Sequence, residues 1–426
     1  MKNVIIAQSG GPSPVINNSL RGVIEGCRAF PGEFGNIYGG WHGIEGILKE
    51  ELLDLSRQTQ REIDLLANTP AAGAIGTCRY KIKDAASPDL ARALDVFAAH
   101  DVGYFFYIGG NDSMDTADKL NRVAAERGMN LVCVGVPKTI DNDLGDVDFK
   151  LIDHTPGYGS VARYWACMAQ NMNEENAGFY PAGPVLVMQV MGRTAGFIPA
   201  AVRLADPERR WPMHLYLTEA GLTLDDLVGR VNDEVRRSKR CLVVVSEGFA
   251  VGDLGAVRDA FGHIEYAASR TTVQQVIVNR LHAKGLAARG WAHGQVAGCD
   301  QRSMAVYAST VDLDEAFAVG RHAVEIARTA GGGWMATILR APGERYVARY
   351  DRVRLRDMAN HARQLPPSWV AANGIDVTDD FIRYARPLIG EEWAPVPLEN
   401  GLQRFARLEP IFVGQTLAAY VPMGYR

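Results

Sequence analysis

The stretch "GYFFYIGGNDSMDTADKL", residues 103–120, decides the class of fold. It opens on an apolar, aromatic run of strand length and stops at two glycines, Gly109 and Gly110. A helical pattern starts just beyond, with apolar residues spaced near 3.6. A strand that runs through glycines straight into a helix is the βα turn of a parallel sheet. Backbone N–H groups at such a turn, with the helix N-terminus behind them, suit a phosphate. Asp112 conflicts with that use, because it places an anion where an anionic ligand would lie.

The same alternation continues on both sides of this stretch. Strands are predicted over 3–9, 103–109, 131–137, 184–192, 214–219 and 241–248. Amphipathic segments such as "MDTADKLNRVAAERG" and "TLDDLVGRVNDEVRRS" separate them. Near-continuous apolar strands between amphipathic helices predict an α/β fold whose mainly parallel sheet is covered on both faces. The chain has no low-complexity linker and no repeat of fixed period. "GGGW" at 331–334 reads as a boundary before a C-terminal extension, 331–426, expected to be mostly helical. Its "RAPGERYVARYDRVRLRDMANHAR" is arginine-rich but threaded with acids, which reads as a solvated, partly helical face or a subunit- or ligand-facing one. "IDVTDDFIRYARPLIG" reads as a capped amphipathic helix packed on the core.

Composition narrows the function classes. With 426 residues, 47% hydrophobic and 22% charged, the chain has enough apolar side chains for two or three domains. A net charge of −4 argues against nucleic-acid and membrane-surface partners. Six cysteines, Cys27, Cys78, Cys133, Cys167, Cys241 and Cys299, are scattered without a CxxC pair, mostly in apolar stretches. That pattern predicts reduced, buried thiols. The N-terminal apolar run has strand length rather than signal-peptide form, and no run approaches a bilayer span. The expectation is a soluble cytoplasmic protein.

Six motifs carry chemistry. "QSGGPSPVINNSLRGV", 8–23, repeats the glycine turn, with Gly10 and Gly11 between a strand and a helix. The opening stretch is the second, and in open α/β sheets such turns gather ligands at the carboxyl edge of the strands. "VPKTIDNDL", 136–144, holds Lys138, Thr139, Asp141 and Asp143. If it is extended, both carboxylates face one way, beside a lysine, as deprotonation of a hydroxyl near a metal requires. A solvated turn is the plainer reading of that motif alone. "VMGRTAGF", 190–197, sets Arg193 after a strand, where a guanidinium can grip a phosphate. "VVVSEGF", 243–249, ends on Glu247, either a contact for sugar hydroxyls or an ordinary loop acid. "CDQRSM", 299–304, contributes Arg302 in a polar turn.

Taken in order, with "GTCRY" at 76–80, these motifs resemble the phosphofructokinase family, over about residues 1–325. The resemblance implies two doubly wound lobes with the active site in the cleft between them. It assigns 1–140 to a phosphoryl-donor lobe, with a returning segment near 300–330, and 141–299 to a sugar-phosphate lobe. The implied reaction moves a phosphoryl group onto the 1-hydroxyl of fructose 6-phosphate, a step of glycolysis and gluconeogenesis. Asp141 would be the general base. Thr139, Ile140, Asp141, Met191, Gly192, Arg193, Glu247, Cys299 and Arg302 would bind the sugar phosphate, and Gly10, Gly11 and Arg79 the donor. ATP-using members carry glycine at the positions of Asp112 and Lys138; this pair marks the pyrophosphate-dependent branch, whose reaction is reversible. A carboxylate about 4 Å from a phosphate oxygen costs roughly 4 kcal/mol at an effective dielectric of ~20, which would exclude the α-phosphate of ATP. Lys138 would then stabilise the diphosphate and its leaving phosphate. Lys138 is also expected to be oriented by Asp112. Asp112, Lys138 and Asp141 are thus the expected catalytic set.

The chain departs from the family pattern at several positions. Asn111 stands where a metal-binding aspartate is usual, and an amide is a weaker Mg²⁺ ligand than a carboxylate. The Mg²⁺ would then rest on Asp112 or Asp141, or mainly on pyrophosphate and water. Cys299 replaces a His or Tyr, and His293 and Pro184 align near arginines that cross between subunits. A homodimer or homotetramer is the family expectation. An ATP-dependent enzyme and a non-catalytic sugar-phosphate-binding paralogue remain as alternative readings.

Overall fold

Strand β1 (Lys2–Gln8) is buried from Val4 to Gln8, because both of its faces are covered. Val4 and Ile6 join a core with Ile16 and Leu20 of the helix Ile16–Arg28. Ile5 and Ala7 point the other way, into a core with Leu90 and Leu94 of the helix Pro88–Ala99. A period of two on a strand with two apolar faces is what a parallel sheet between helical layers demands. The computed structural model describes residues 1–258, 262, 264–359 and 362–426.

Two sheets organise the chain. The larger contains β1, β2 (Phe34–Gly40), β3 (Leu52–Asp54), β4 (Val102–Gly109) and β5 (Val132–Pro137). The smaller contains β6 (Val185–Val190), β7 (Met213–Tyr216) and β8 (Cys241–Ser246). After a short hairpin, β9 (Val257–Arg258) with β10 (Ile264–Glu265), β11 (Ala292–Val296) completes the smaller sheet in the order β11-β6-β8-β7, all parallel. The chain then returns through the helix Thr310–Thr329, which packs on Ile16–Arg28. Finally β12 (Trp334–Arg340) pairs parallel to β5, and β13 (Ala348–Arg354) pairs antiparallel to β12. The larger sheet runs β13-β12-β5-β4-β1-β2-β3. This is an α/β fold, and the six strands predicted from sequence are all present.

Residues 331–426 correct the expectation of a mostly helical extension. "GGGW" leads into a strand of the main sheet, so it does not separate an outlying piece. The arginine-rich stretch, 340–363, contains β13, an edge strand whose arginines are exposed, and then one helical turn, Leu355–Met358; residues 360 and 361 lie outside the described residues. In "IDVTDDFIRYARPLIG" the helix is Asp379–Ala385, with Phe381, Tyr384 and Leu388 buried against the smaller sheet's core; Thr378 makes no side-chain cap. The remaining length is mostly irregular and packs beside the larger sheet: Thr416 and Leu417 bind the Glu50 carboxylate, and Tyr420 binds Asp89. Cys27, Cys78, Cys133 and Cys241 are buried free thiols, as expected, while Cys167 is half-buried and Cys299 exposed.

Candidate active site

The carboxyl ends of β1, β4, β5, β6 and β8 converge on one pocket. On one side of the pocket the end of β1 is tied to the "GTCRY" segment: Ser9 bridges Cys78, and Gly10 N–H donates to the Cys78 carbonyl at 2.9 Å. From Cys78 to Ile82, buried Cys78, Tyr80 and Ile82 alternate with partly exposed Arg79 and Lys81. The two basic side chains therefore share the open face. Gly10 has φ +78°, and a Cβ there would meet Lys138 Nζ at 3.2 Å. A Cβ on Gly11 would lie 3.2 Å from Arg302 Nη1 and 3.5 Å from Arg79 Nη2. The bare turn thus lets three cationic heads gather over its backbone.

Lys138 is buried, and its ammonium donates to the Gly11 carbonyl at 2.7 Å. Burial, with the positive charges of Arg79 and Arg193, pushes its pKa down to about 7 against the pull of Asp141 and Asp143. This corrects the expectation that Asp112 orients Lys138. Asp112, in the first turn of the helix Asn111–Glu126, is instead ion-paired with Lys81. Lys81 was missed in the sequence, although the alternation in "CRYKIK" signals it. Asn111 Oδ1 accepts the Asp112 N–H at 2.8 Å. No cluster of three or more His, Cys, Asp or Glu side chains suited to a metal occurs among the described residues.

The "TIDND" segment is a turn rather than the extended run that would align its carboxylates by alternation. Thr139 bridges Gly157, Asp141 N–H donates to Thr139 Oγ1 at 3.1 Å, and Asn142 is left-handed at φ +57°. Asp141 and Asp143 still both line the pocket. Burial, then the charge of Asp141, pushes Asp143 up to about 6.

On the opposite side, Arg193 takes φ +50°, and its carbonyl accepts Ser246 Oγ–H at 2.7 Å. Gly248 makes this packing possible, since a Cβ there would sit 1.9 Å from the Arg193 oxygen. Burial, followed by the Asp141 charge, raises Glu247 to about 8. A carboxyl raised this far can hold its proton near neutral pH and donate as well as accept a hydrogen bond. Arg302 also lines the pocket, and its buried Nε has no hydrogen-bond partner among the described residues.

Gln301, within the "CDQRSM" motif but not among the candidate site residues, couples these parts. Its Oε1 accepts from Met191 N–H at 3.0 Å and Trp165 Nε1–H at 2.8 Å. Thr139, Ile140 and Met191 reach the pocket, but Gly192 and Cys299 are outside its lining. Exposed Cys299 contacts Arg302, Nη2 to Sγ 3.8 Å. Glu265 and Tyr266 are further lining residues absent from the sequence reading, and Glu265 pairs with Arg79 Nε at 3.2 Å.

Arg79, Lys138, Arg193 and Arg302 thus line one pocket with Asp141, Asp143 and Glu247, and comparison with known proteins decides the family. The phosphofructokinase family model matches residues 3–327. The chain belongs to the phosphofructokinase family. Among this phosphofructokinase's relatives, a pyrophosphate–fructose 6-phosphate 1-phosphotransferase of Halomonas elongata is 38% identical, over 95% of this chain and 96% of its own length. One of the same name from Methylococcus capsulatus is 36% identical over 98% of both chains. The crystal structure of a pyrophosphate-dependent phosphofructokinase from Nitrosospira multiformis superposes with a TM-score of 0.87 at 35% identity, covering 99% of this chain and 100% of that one.

Proposed function

We propose that this chain transfers a phosphoryl group reversibly from pyrophosphate to the 1-hydroxyl of fructose 6-phosphate, giving fructose 1,6-bisphosphate and phosphate. The observation that carries the reading is the joint lining of one pocket by Gly10, Gly11, Arg79 and Lys138 with Asp141, Arg193, Glu247 and Arg302. The near full-length relatives named for the same reaction support it.

In the proposed mechanism Asp141 accepts the proton of the 1-hydroxyl as that oxygen bonds to the transferred phosphorus. The bridging P–O bond breaks, and the leaving phosphate keeps that electron pair. Lys138, held on the Gly11 carbonyl, and Arg79 offset the charge that develops there. Arg193 and the unpartnered Arg302 Nε suit the 6-phosphate, and Glu247 suits the sugar hydroxyls. Asp112, paired with Lys81, is the group that would take the space and the positive charge a nucleotide α-phosphate needs.

Mg²⁺ is the proposed metal. Asp141 and Asp143 line one pocket, and burial and then the Asp141 charge push Asp143 up to about 6, a cost that a divalent cation would relieve. When bound, the ion would draw negative charge from the phosphoryl oxygens. Asn111 and Asp112 are less suited to hold it, since one receives its own helix N–H and the other pairs with Lys81. A cytoplasmic, homo-oligomeric state fits the same reading. No helix among the described residues is long and apolar enough to cross a membrane. At one end of the smaller sheet β11 leaves an edge, near which Phe179, Trp291 and Val296 are exposed.

The test is Asp141→Asn in a coupled assay with fructose 6-phosphate, pyrophosphate and Mg²⁺. The expected loss is ~10²–10⁴-fold in kcat with modest change in KM. A near-normal kcat would remove Asp141 from the role of base.

A further inference from the structure

The turn that carries Asp141 hangs from a residue far outside the matched family region. Arg363 is 1% exposed, and its guanidinium is spent on the backbone around that turn. Nε donates to the Asn142 carbonyl at 2.7 Å, and Nη2 donates to Asn142 Oδ1 at 2.7 Å and the Asp153 carbonyl at 2.9 Å. Nη1 donates to the Ile152 carbonyl at 2.8 Å. The main chain joins in, with Arg363 N–H on the Asp143 carbonyl at 2.7 Å and Ala362 bridging Leu144. Phe149 packs on the guanidinium, 4.4 Å from its ring centre.

Every hydrogen-bond acceptor of this buried cation is neutral. The carboxylates of Asp153, Asp143 and Asp146 offset its charge through space, but none of them bonds the guanidinium, so an ion pair of fixed geometry is not what this arginine makes. What the planar fork supplies is geometry: several donors at fixed angles on three carbonyls and one side-chain amide. Asn142 lies between Asp141 and Asp143, is fully buried, and adopts φ +57°. Its side chain is fixed on the other side too, with Oδ1 accepting Thr155 N–H at 3.2 Å and Nδ2 donating to Tyr384 Oη at 2.8 Å. Thr155 Oγ1–H in turn holds the Thr139 carbonyl at 2.7 Å. The backbone on both sides of Asp141 is therefore pinned, and Arg363 is the largest single contributor.

We propose that Arg363 is a positioning residue for phosphoryl transfer: a guanidinium from the C-terminal segment that fixes the Asn142–Asp143 backbone and so aims the Asp141 carboxylate. This rests on the reading of Asp141 as general base. It extends the catalytic apparatus past residue 327, where the family match ends.

The test compares Arg363→Lys, Asn142→Gly and Asp141→Asn by steady-state kinetics, with thermal melting and fructose 6-phosphate binding as folding controls. Arg363→Lys keeps the charge and loses the fork. A base displaced by about 1 Å costs ~10²-fold, so kcat should fall by that order while both KM values stay within about threefold. Arg363→Ala should regain part of its kcat with millimolar guanidinium, which a merely destabilised fold would not. Asn142→Gly tolerates the left-handed backbone but removes one acceptor of the fork. It should lose ~10-fold in kcat without weakening sugar-phosphate binding, and it decides the matter if Arg363 variants fail to fold. Wild-type kcat in Arg363→Lys, or in Asn142→Gly when the former is unfolded, overturns the proposal. So does a rise in KM with kcat unchanged. Full activity in Asp141→Asn would overturn the base assignment itself, a separate result.

Discussion

Lys138 is the residue on which the donor side turns. Burial, then the charges of Arg79 and Arg193, push its pKa down to about 7. An arriving diphosphate favours the charged ammonium and raises that pKa. Binding therefore takes up a proton above about pH 7, and the KM for pyrophosphate should climb as pH rises from 7 to 9. Calorimetric titration in buffers of different ionisation enthalpy would register the uptake, and a pH-independent KM with no proton uptake would refute it. Little of this environment could be read in advance. The sequence pointed to Lys138 and Asp112 by their positions, but not to their partners. Asp112 goes to Lys81 and Lys138 to the Gly11 carbonyl because the "GTCRY" segment, distant in sequence, lies against the end of β1.

At the scale of elements, strands with two apolar faces were legible because their composition leaves no alternative. β12 and β13 were not, since "ARYDRVR" places charges on an edge strand's solvent face and reads equally well as a helix surface. The turns after strands were legible as turns at the carboxyl edge of the sheets, but not their mutual packing. Gly248 makes the point: it looks like an ordinary strand-end glycine, yet the Arg193 carbonyl fills the space a side chain would need. Gly248→Ala should push the two turns apart and displace Arg193. The expected outcome is a ~10-fold or larger rise in the KM for fructose 6-phosphate, with that for pyrophosphate changed much less. Equal changes in both would place Arg193 elsewhere in the cleft.

Across the whole molecule, the C-terminal segment is integral rather than appended. A buried ionic group joins it to the core: His154 lies 2.9 Å from Asp153 and 2.6 Å from Glu315, while Arg340 reaches Asp153 and Tyr346 reaches Glu315. Burial alone would lower the His154 pKa, but Glu315 and Asp153 overcome it and raise it to about 10, from an ordinary 6.5. The folded state therefore holds the proton more tightly than the unfolded chain. The stability this contributes is complete below about pH 6.5 and is lost progressively as pH rises to about 10. His154→Gln should be less stable than wild type at pH 6.5, and the gap should narrow towards pH 10 in denaturant titrations. A gap constant with pH would mean that His154 is buried neutral.

The central claim is that the donor is pyrophosphate and that Asp112 keeps ATP out. The direct measurement is kcat/KM for both donors with fructose 6-phosphate at fixed Mg²⁺, in wild type and Asp112→Gly. Wild type should use pyrophosphate and not ATP. Because Lys138 is anchored on Gly11 rather than on Asp112, Asp112→Gly should keep part of its pyrophosphate activity while gaining measurable ATP activity. Transfer from ATP by the wild type at a rate matching pyrophosphate, or continued exclusion of ATP in Asp112→Gly, would contradict the account.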